Sequence, residues 1–299
     1  MLRLLKFLSL IGCVFALQGC AQAAVVSPTV NVDVLAYYPA DIDESSGLVA
    51  ASGRYWTHND SGGDAVLFGL DKTTFNVDHE VKLPGAMATD WETVTASETH
   101  LFIGDCGNNR GARRDLAIYK VAVNDLEKPI APVEKIDFSF SGQQDYSKRK
   151  SHDYDCEAIT AVNDQLWLFT KNRKSLTTDL YILSQRGTPQ RAVKQQSFPV
   201  DGLITGADYN AQTGVLALLG YTKASVWGFS FIWLAPTNSA SEILWEKAVR
   251  LIVQPYGQWE GIAWESSDAL LLTAERSALG PNQVGRIKVT TLPEISIKH

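Results

Sequence analysis

The chain has no apolar run long enough to span a bilayer and no stretch of helical periodicity beyond its first residues; it holds only four cysteines, two methionines and five histidines in 299 residues. Without long apolar runs it is not a helical membrane protein. Without helical patterning, all-α and α/β architectures fall away. No G-x-S-x-G elbow occurs, no H-E-x-x-H helix, and no glycine-rich loop ending in Lys-Ser or Lys-Thr. The commonest signatures of serine hydrolases, zinc proteases and phosphate-binding loops are therefore missing. Cations are also outnumbered: 27 Lys and Arg stand against 33 Asp and Glu, a formal charge of −6, which argues against a nucleic-acid partner.

What is present begins with Arg3 and Lys6, followed by an almost unbroken apolar run over 7–17. This is the basic and apolar succession that opens a secretory signal. Leu17-Gln18-Gly19-Cys20 resembles the bacterial lipobox, in which the cysteine is acylated and becomes the mature N-terminus. Ordinary cleavage near residues 21–24, with Cys20 lost, is the alternative. The expectation is a signal peptide over 1–19, a short tether over 20–29 and one folded domain over 30–299, exported and attached to the membrane by a lipid on Cys20. Ala21 stands where an aspartate would retain such a protein at the inner membrane. The outer membrane is then the expected destination, facing the periplasm or the surface. Losing Arg3 and Lys6 with the signal takes the charge from −6 to −8. Cys13 and Cys20 fall in the leader, which leaves Cys106 and Cys156 as a disulfide pair in an oxidising compartment.

From Ile42 onward, short β-branched and aromatic runs alternate with turn residues, so the chain reads as all-β. A unit of roughly 50 residues recurs, the period of a propeller blade. Its openings are Glu44-Ser45-Ser46-Gly47, Asp90-Trp91-Glu92-Thr93, Asp155-Cys156-Glu157-Ala158, Thr205-Gly206-Ala207-Asp208 and Trp259-Glu260-Gly261-Ile262. Each unit supplies three or four strands and cannot bury both faces alone, so neighbours must stack and a closed ring removes the free edges. Five copies predict a five-bladed β-propeller, with a sixth blade still open in 110–155 or 221–257. A strand over 30–38 is expected to complete the last blade and close the ring, giving a monomer.

The start of a blade's first strand and the end of its second lie at the same end of the sheet. One channel mouth should therefore gather the polar residues that open and close these runs. Among the openings, Glu44, Glu92, Glu157, Asp208 and Glu260 are the expected metal ligands; Asp90 and Asp155 join them at the mouth. So many carboxylates at one opening repel unless a cation offsets them, and Ca²⁺ accepts such oxygens readily. Among the strand ends and the loop after Asp105, Asn59, Asp60, Asp105, Asn108, Asn109, Arg110, Lys171, Tyr221, Glu275 and Arg276 are the expected ligand-binding residues. The competing reading is that these side chains cap turns or pair with Arg110, Arg113, Arg173 and Arg276. His58 is the candidate general base, against a turn-stabilising role for the same imidazole. Trp91 and Trp259 could line the mouth beside their glutamates instead of filling the core.

These motifs, together with Trp56-Thr57-His58-Asn59-Asp60-Ser61-Gly62 and Gly104-Asp105-Cys106-Gly107-Asn108-Asn109-Arg110, resemble a family of bacterial exported β-propeller proteins across roughly residues 43–277. The resemblance implies the fold and the importance of the mouth; it names no activity. More distantly the architecture is similar to Ca²⁺-dependent propeller lactonases, phosphotriesterases and propeller phytases, a likeness of fold alone. The expected function is a binding or scaffold module taking a small molecule, a glycan or an envelope protein at the mouth, with Ca²⁺ as the expected cofactor. The alternative is a Ca²⁺-dependent hydrolase of a small ester, lactone or phosphoester.

Overall fold

The computed structural model describes residues 27–223 and 228–289; the leader and Cys20 lie outside the described residues. Five four-stranded antiparallel units succeed one another along the chain. Blade 1 is Val49–Ala51, Arg54–Thr57, Val66–Leu70 and Val77–Lys82. Blade 2 is Trp91–Ala96, His100–Asp105, Ala117–Ala122 and Glu134–Phe140. Blade 3 is Cys156–Val162, Gln165–Thr170, Thr178–Ser184 and Gln190–Phe198. Blade 4 is Leu203–Asn210, Val215–Tyr221, Ser230–Pro236 and Val249–Gln254. Blade 5 takes Trp259–Trp264, Ala269–Ala274 and Gln283–Lys288 from the end of the chain and Asp33–Tyr37 from its beginning. No sixth blade occurs among the described residues.

Burial explains why the same period yields different strands. Inner strands are covered on both faces and read as nearly continuous apolar or small residues, as in Trp-Glu-Gly-Ile-Ala-Trp; outer strands alternate, as in Val-Asp-His-Glu-Val-Lys. The apolar side chains form five cores, each shared by two successive blades, and the fifth packs Leu271 and Val284 of blade 5 against Leu48, Tyr55 and Leu70 of blade 1. The ring is thus closed by packing as well as by the strand Asp33–Tyr37. The expected single N-terminal strand is split: Thr29–Asn31 runs parallel to the outer edge of blade 4 before Asp33–Tyr37 pairs antiparallel in blade 5. One segment therefore ties together the two blades that end the chain. Blades 2 and 3 are also joined at their rims, where Phe138–Phe140 pairs in parallel with Gln190–Ala192.

Around the channel, side chains of one blade satisfy backbone N–H groups of the next. Thr95 Oγ1 accepts from Ala161 N at 3.0 Å, Thr160 Oγ1 from Tyr209 N at 3.0 Å, and Asp208 Oδ2 from Trp264 N at 2.7 Å. Asp208 accordingly stands in the register of Thr95 and Thr160. It is a strap between blades 4 and 5, not an expected metal ligand brought to the mouth. Burial without a cation pushes its carboxyl up to about 7. The small residue that follows each mouth position has a packing cause as well. A Cβ on Gly206 would come within 2.7 Å of Glu260 O, and one on Gly261 within 3.0 Å of Gly47 C, so in blades 4 and 5 the inner strands close up on their neighbours because no side chain stands there.

Candidate functional site

Each inner strand meets the mouth through a local irregularity. The pairing register slips past Glu92 in blade 2, Glu157 in blade 3, Thr205 in blade 4 and Glu260 in blade 5. These are β-bulges, in which the extra residue leaves the ladder and its side chain is re-aimed. Ser46 holds the corresponding place in blade 1, between the bridged Ser45 and the strand proper. A second circle comes from the ends of the second strands: Asp60, Lys171 and Glu275 donate their backbone N–H to the carbonyls of Glu44, Asp155 and Gln258, and Tyr221 pairs with Leu203. Blade 2 places Gly107 there, bonded to Asp90 O. A Cβ at Gly107 would sit 2.2 Å from Glu92 Oε1 and 2.5 Å from Asp90 Oδ2, so glycine makes room for both carboxylates.

The two circles enclose a polar cavity of about 240 Å³. Of the residues expected from the sequence, Asp60, Glu92, Asn109, Glu157, Lys171, Tyr221, Glu260 and Glu275 line it. Ser46, Arg173 and Gln258, which are not among the metal- and ligand-binding residues expected from the sequence, line it too. Arg173 lies two residues past Lys171, and Gln258 two residues before Glu260 in the register of Asp90 and Asp155; those offsets were the available signals.

Several expected site residues are engaged elsewhere. Glu44 is exposed on the rim, two residues ahead of the ring position that Ser46 fills. Asn59 holds the blade 1 turn, accepting from Glu44 N and donating to Asp41 O. Asp105 is buried beneath the mouth, where one oxygen accepts from Asp90 N at 3.1 Å and from Arg113 at 3.0 Å. Asn108 ties the blade 2 loop to blade 3 by donating to Asp155 Oδ1 and Tyr154 O, and closes the loop on itself by accepting from Arg113 N. Arg276 is exposed and outside the cavity, and Arg110 faces a separate hollow. Trp91 and Trp259 are buried, their indole N–H groups donating to Met87 O and Pro255 O. His58 is fully buried, edge-on to Trp91 at 5.5 Å, with Nδ1 on Asn59 O. Burial pushes its pKa down to about 4, so it is a neutral packing imidazole away from the cavity and not the base the sequence suggested. Cys106 and Cys156 are joined in a disulfide that links blades 2 and 3 directly below the mouth.

The cavity is electrically lopsided. On the blade 3 side, Lys171 Nζ meets Glu157 Oε2 at 2.6 Å, and Arg173 holds Asp155 at 2.9 Å while lying 3.6 Å from Glu157 Oε1. Burial works against the Lys171 charge, but Glu157 first, then Glu260 and Glu92 with the Tyr221 phenol, outweigh it and keep the ammonium protonated. The opposite side has no such cation. Asp60, Asp90 and Glu92 bring one oxygen each within 4.8 Å of one another. Burial, then Asp90 and Glu44, push Asp60 up to about 7; burial pushes Asp90 to about 6 despite Arg113; burial, then Glu157 and Asp60, push Glu92 well above the carboxylate range. Glu275 rises to about 7 through burial and the nearby Glu260. Asp60 Oδ1 and Glu157 Oε1 are buried and accept no hydrogen bond. The arrangement can hold a cation through oxygens and orient a polar ligand; among the described residues no histidine or thiol lines it.

No protein-family model matches the chain, and no curated protein does. Solved structures align with it over most of its length at low identity. The WD40 repeats of RRP9 align at 10% identity, covering 88% of this chain and 99% of theirs, with a TM-score of 0.44. The Pan2 WD40 domain of Neurospora crassa aligns at 8% identity over 84% of this chain and 76% of its own, with a TM-score of 0.40. A Kuenenia stuttgartiensis hydrazine synthase chain aligns at 10% identity and a TM-score of 0.41; 85% of this chain matches 65% of that one. At such identities and scores these likenesses say nothing of activity, and the propeller rests on the chain's own strand order, bulges and closed ring of cores.

Proposed function

We propose that the chain is an exported ligand-binding module whose mouth takes up a divalent cation, Ca²⁺ by the chemistry of the donors, and that this cation helps to hold an oxygen-bearing ligand. The observation that carries the reading is the meeting of Asp60, Asp90 and Glu92 within 4.8 Å, with Asp60 Oδ1 buried and without a hydrogen bond. The donors are all oxygen, which suits a hard cation and not zinc or copper, whose sites favour imidazole and thiolate. Three carboxylates fall short of the about six to eight oxygens that Ca²⁺ prefers. The cavity beside them leaves room for water or for hydroxyl and carboxylate oxygens of a small molecule, a glycan or an envelope protein. Relative to the expected ligand set, the cluster keeps Glu92 and replaces the others with Asp60 and Asp90.

Binding is favoured over hydrolysis because His58, the candidate base, is packed away from the mouth. Attachment to the outer membrane through Cys20, from the lipobox resemblance, belongs to the same proposal: the lipid would hold the propeller at the envelope while the mouth samples its surroundings. Calorimetric titration of metal-stripped protein with Ca²⁺ tests the cation. Saturable binding in wild type, weakened at least tenfold in Glu92→Gln, is the expected result. Absence of Ca²⁺ binding up to millimolar concentrations would remove the reading.

A further inference from the structure

A second hollow of about 540 Å³ shares Asn109 with the mouth, and Asp90, which meets Asp60 and Glu92 within 4.8 Å, belongs to its lining. Its wall is the loop that follows the second strand of blade 2, with Arg110, Arg113 and Arg114, faced by Lys148. The loop is held firmly. Gly111 N donates to Asn108 O at 2.7 Å, Gly111 O accepts from the buried Gln143 at 2.8 Å, and Arg110 O accepts from Arg149 N at 2.9 Å. The Cys106–Cys156 bond fixes its root. Arg113 is taken up internally by Asp105, Asp115 and Gly107 O.

Arg110, Arg114 and Lys148 are different, having no carboxylate partner among the described residues. Arg114 stacks on the Tyr146 ring at 3.6 Å, which orients the guanidinium and leaves its in-plane N–H groups free. Four cations, Arg110, Arg113, Arg114 and Lys148, against two carboxylates, Asp90 and Asp115, leave the hollow with a net positive lining in a chain whose net charge is −6. Their mutual repulsion favours an anion between them, and stacked planar guanidinium groups match the two-oxygen edge of a phosphate or carboxylate. We infer that this hollow is an oxyanion site for a phosphate- or carboxylate-bearing small molecule, placed so that the rest of the ligand extends over Asp90 and Asn109 towards the mouth. The site does not depend on the cation proposed for the mouth.

Titration calorimetry at constant ionic strength tests it, using metal-stripped protein with glucose 6-phosphate and glucuronate as probes and glucose as the neutral control. Saturable binding of either anion with glucose inert is expected, and the anion that binds identifies which oxyanion is preferred. Arg110 and Arg114 are exposed, so Arg110→Ala/Arg114→Ala should fold normally and weaken binding about tenfold or more. Arg114→Lys, which keeps the charge and loses the fork, should fall between. Asp60→Asn should lose the Ca²⁺ response and keep anion binding, so the two readings fail separately. No binding of either anion at about 10 mM, or equal binding by the double variant or by glucose, overturns the inference.

Discussion

Replacing Asp60 with Asn removes one charge from the crowded side of the mouth and keeps the side-chain shape. In the folded protein burial and the neighbouring Asp90 raise this carboxyl from 3.8 to about 7. Ionising it in place therefore costs at most about 4 kcal/mol more than in the unfolded chain. Asp60 is only partly enclosed, and water and salt screen its neighbours, so about 1–2 kcal/mol is the expected effect. The sign follows from proton binding. Below about pH 4 the acid is protonated in both states and the penalty is absent; between 4 and 7 the folded state alone keeps the proton; above 7 the full penalty applies. Asp60→Asn should consequently match wild type near pH 4 and exceed it at pH 8 by several degrees in metal-free buffer, at about 2–4 °C per kcal/mol for a domain of this size. Ca²⁺ should then raise the wild-type melting temperature at pH 8 and leave the variant unmoved. Melts followed by circular dichroism at pH 4, 6 and 8 measure all of this. A variant no more stable than wild type at pH 8, or equally stabilised at pH 4, would refute the account of the mouth as a site of uncompensated charge.

Three further outcomes are expected. Lys171→Met leaves Glu157 buried with only the longer Arg173 contact, so it should lose about 3–5 kcal/mol at pH 8 in urea unfolding and recover part of that near pH 5, as the carboxyl takes a proton; an effect independent of pH would contradict the pairing. Cys106→Ser/Cys156→Ser opens a 50-residue loop and should cost about 4 kcal/mol, and an unchanged denaturation midpoint would show that the bridge does not constrain the unfolded chain. Cys20→Ala should shift the protein from the membrane to the soluble fraction and abolish incorporation of a fatty-acid analogue; persistent labelling would sink the lipid anchor.

The fold was legible because its signal is repeated. Glu92, Glu157 and Glu260 each precede a small and then an apolar residue, and three copies of that pattern suffice to set the period and the mouth. Where a blade replaces the acid, the pattern no longer marks the ring position. Blade 4 has Thr205 in the ring, and the nearest carboxylate, Asp208, lies three residues further along the strand. Blade 1 has Ser46 there, and the nearest preceding carboxylate, Glu44, lies two residues earlier. A bulge is a displacement of one residue, and in a strand one residue decides which way a side chain points, so composition alone does not reveal it. The same limit separates Asn109, which lines the cavity, from Asn108 beside it, which is spent on Asp155 and Tyr154. That choice is made by hydrogen bonds across 46 or 47 residues of sequence.

Unequal substitution of five equivalent positions also gives the mouth its direction. Blade 3 balances Glu157 and Asp155 with Lys171 and Arg173, and blade 4 offers the uncharged Thr205 and Tyr221. Blades 5, 1 and 2 supply Glu260 and Glu275, Asp60, and Asp90 and Glu92, with Lys171 reaching across from blade 3 as their nearest shared ammonium. A cation entering the cavity is pushed from the Lys171 side and drawn towards blades 1 and 2, and in a partly dry site that gradient is far steeper than in bulk water. On the proposed reading, a ligand with one cationic or cation-bound end would be held in one orientation, its remainder directed over Asp90 towards Arg110 and Arg114. The pseudo-fivefold ring provides the convergence, and the loss of charge symmetry among its blades gives the field in the mouth its direction.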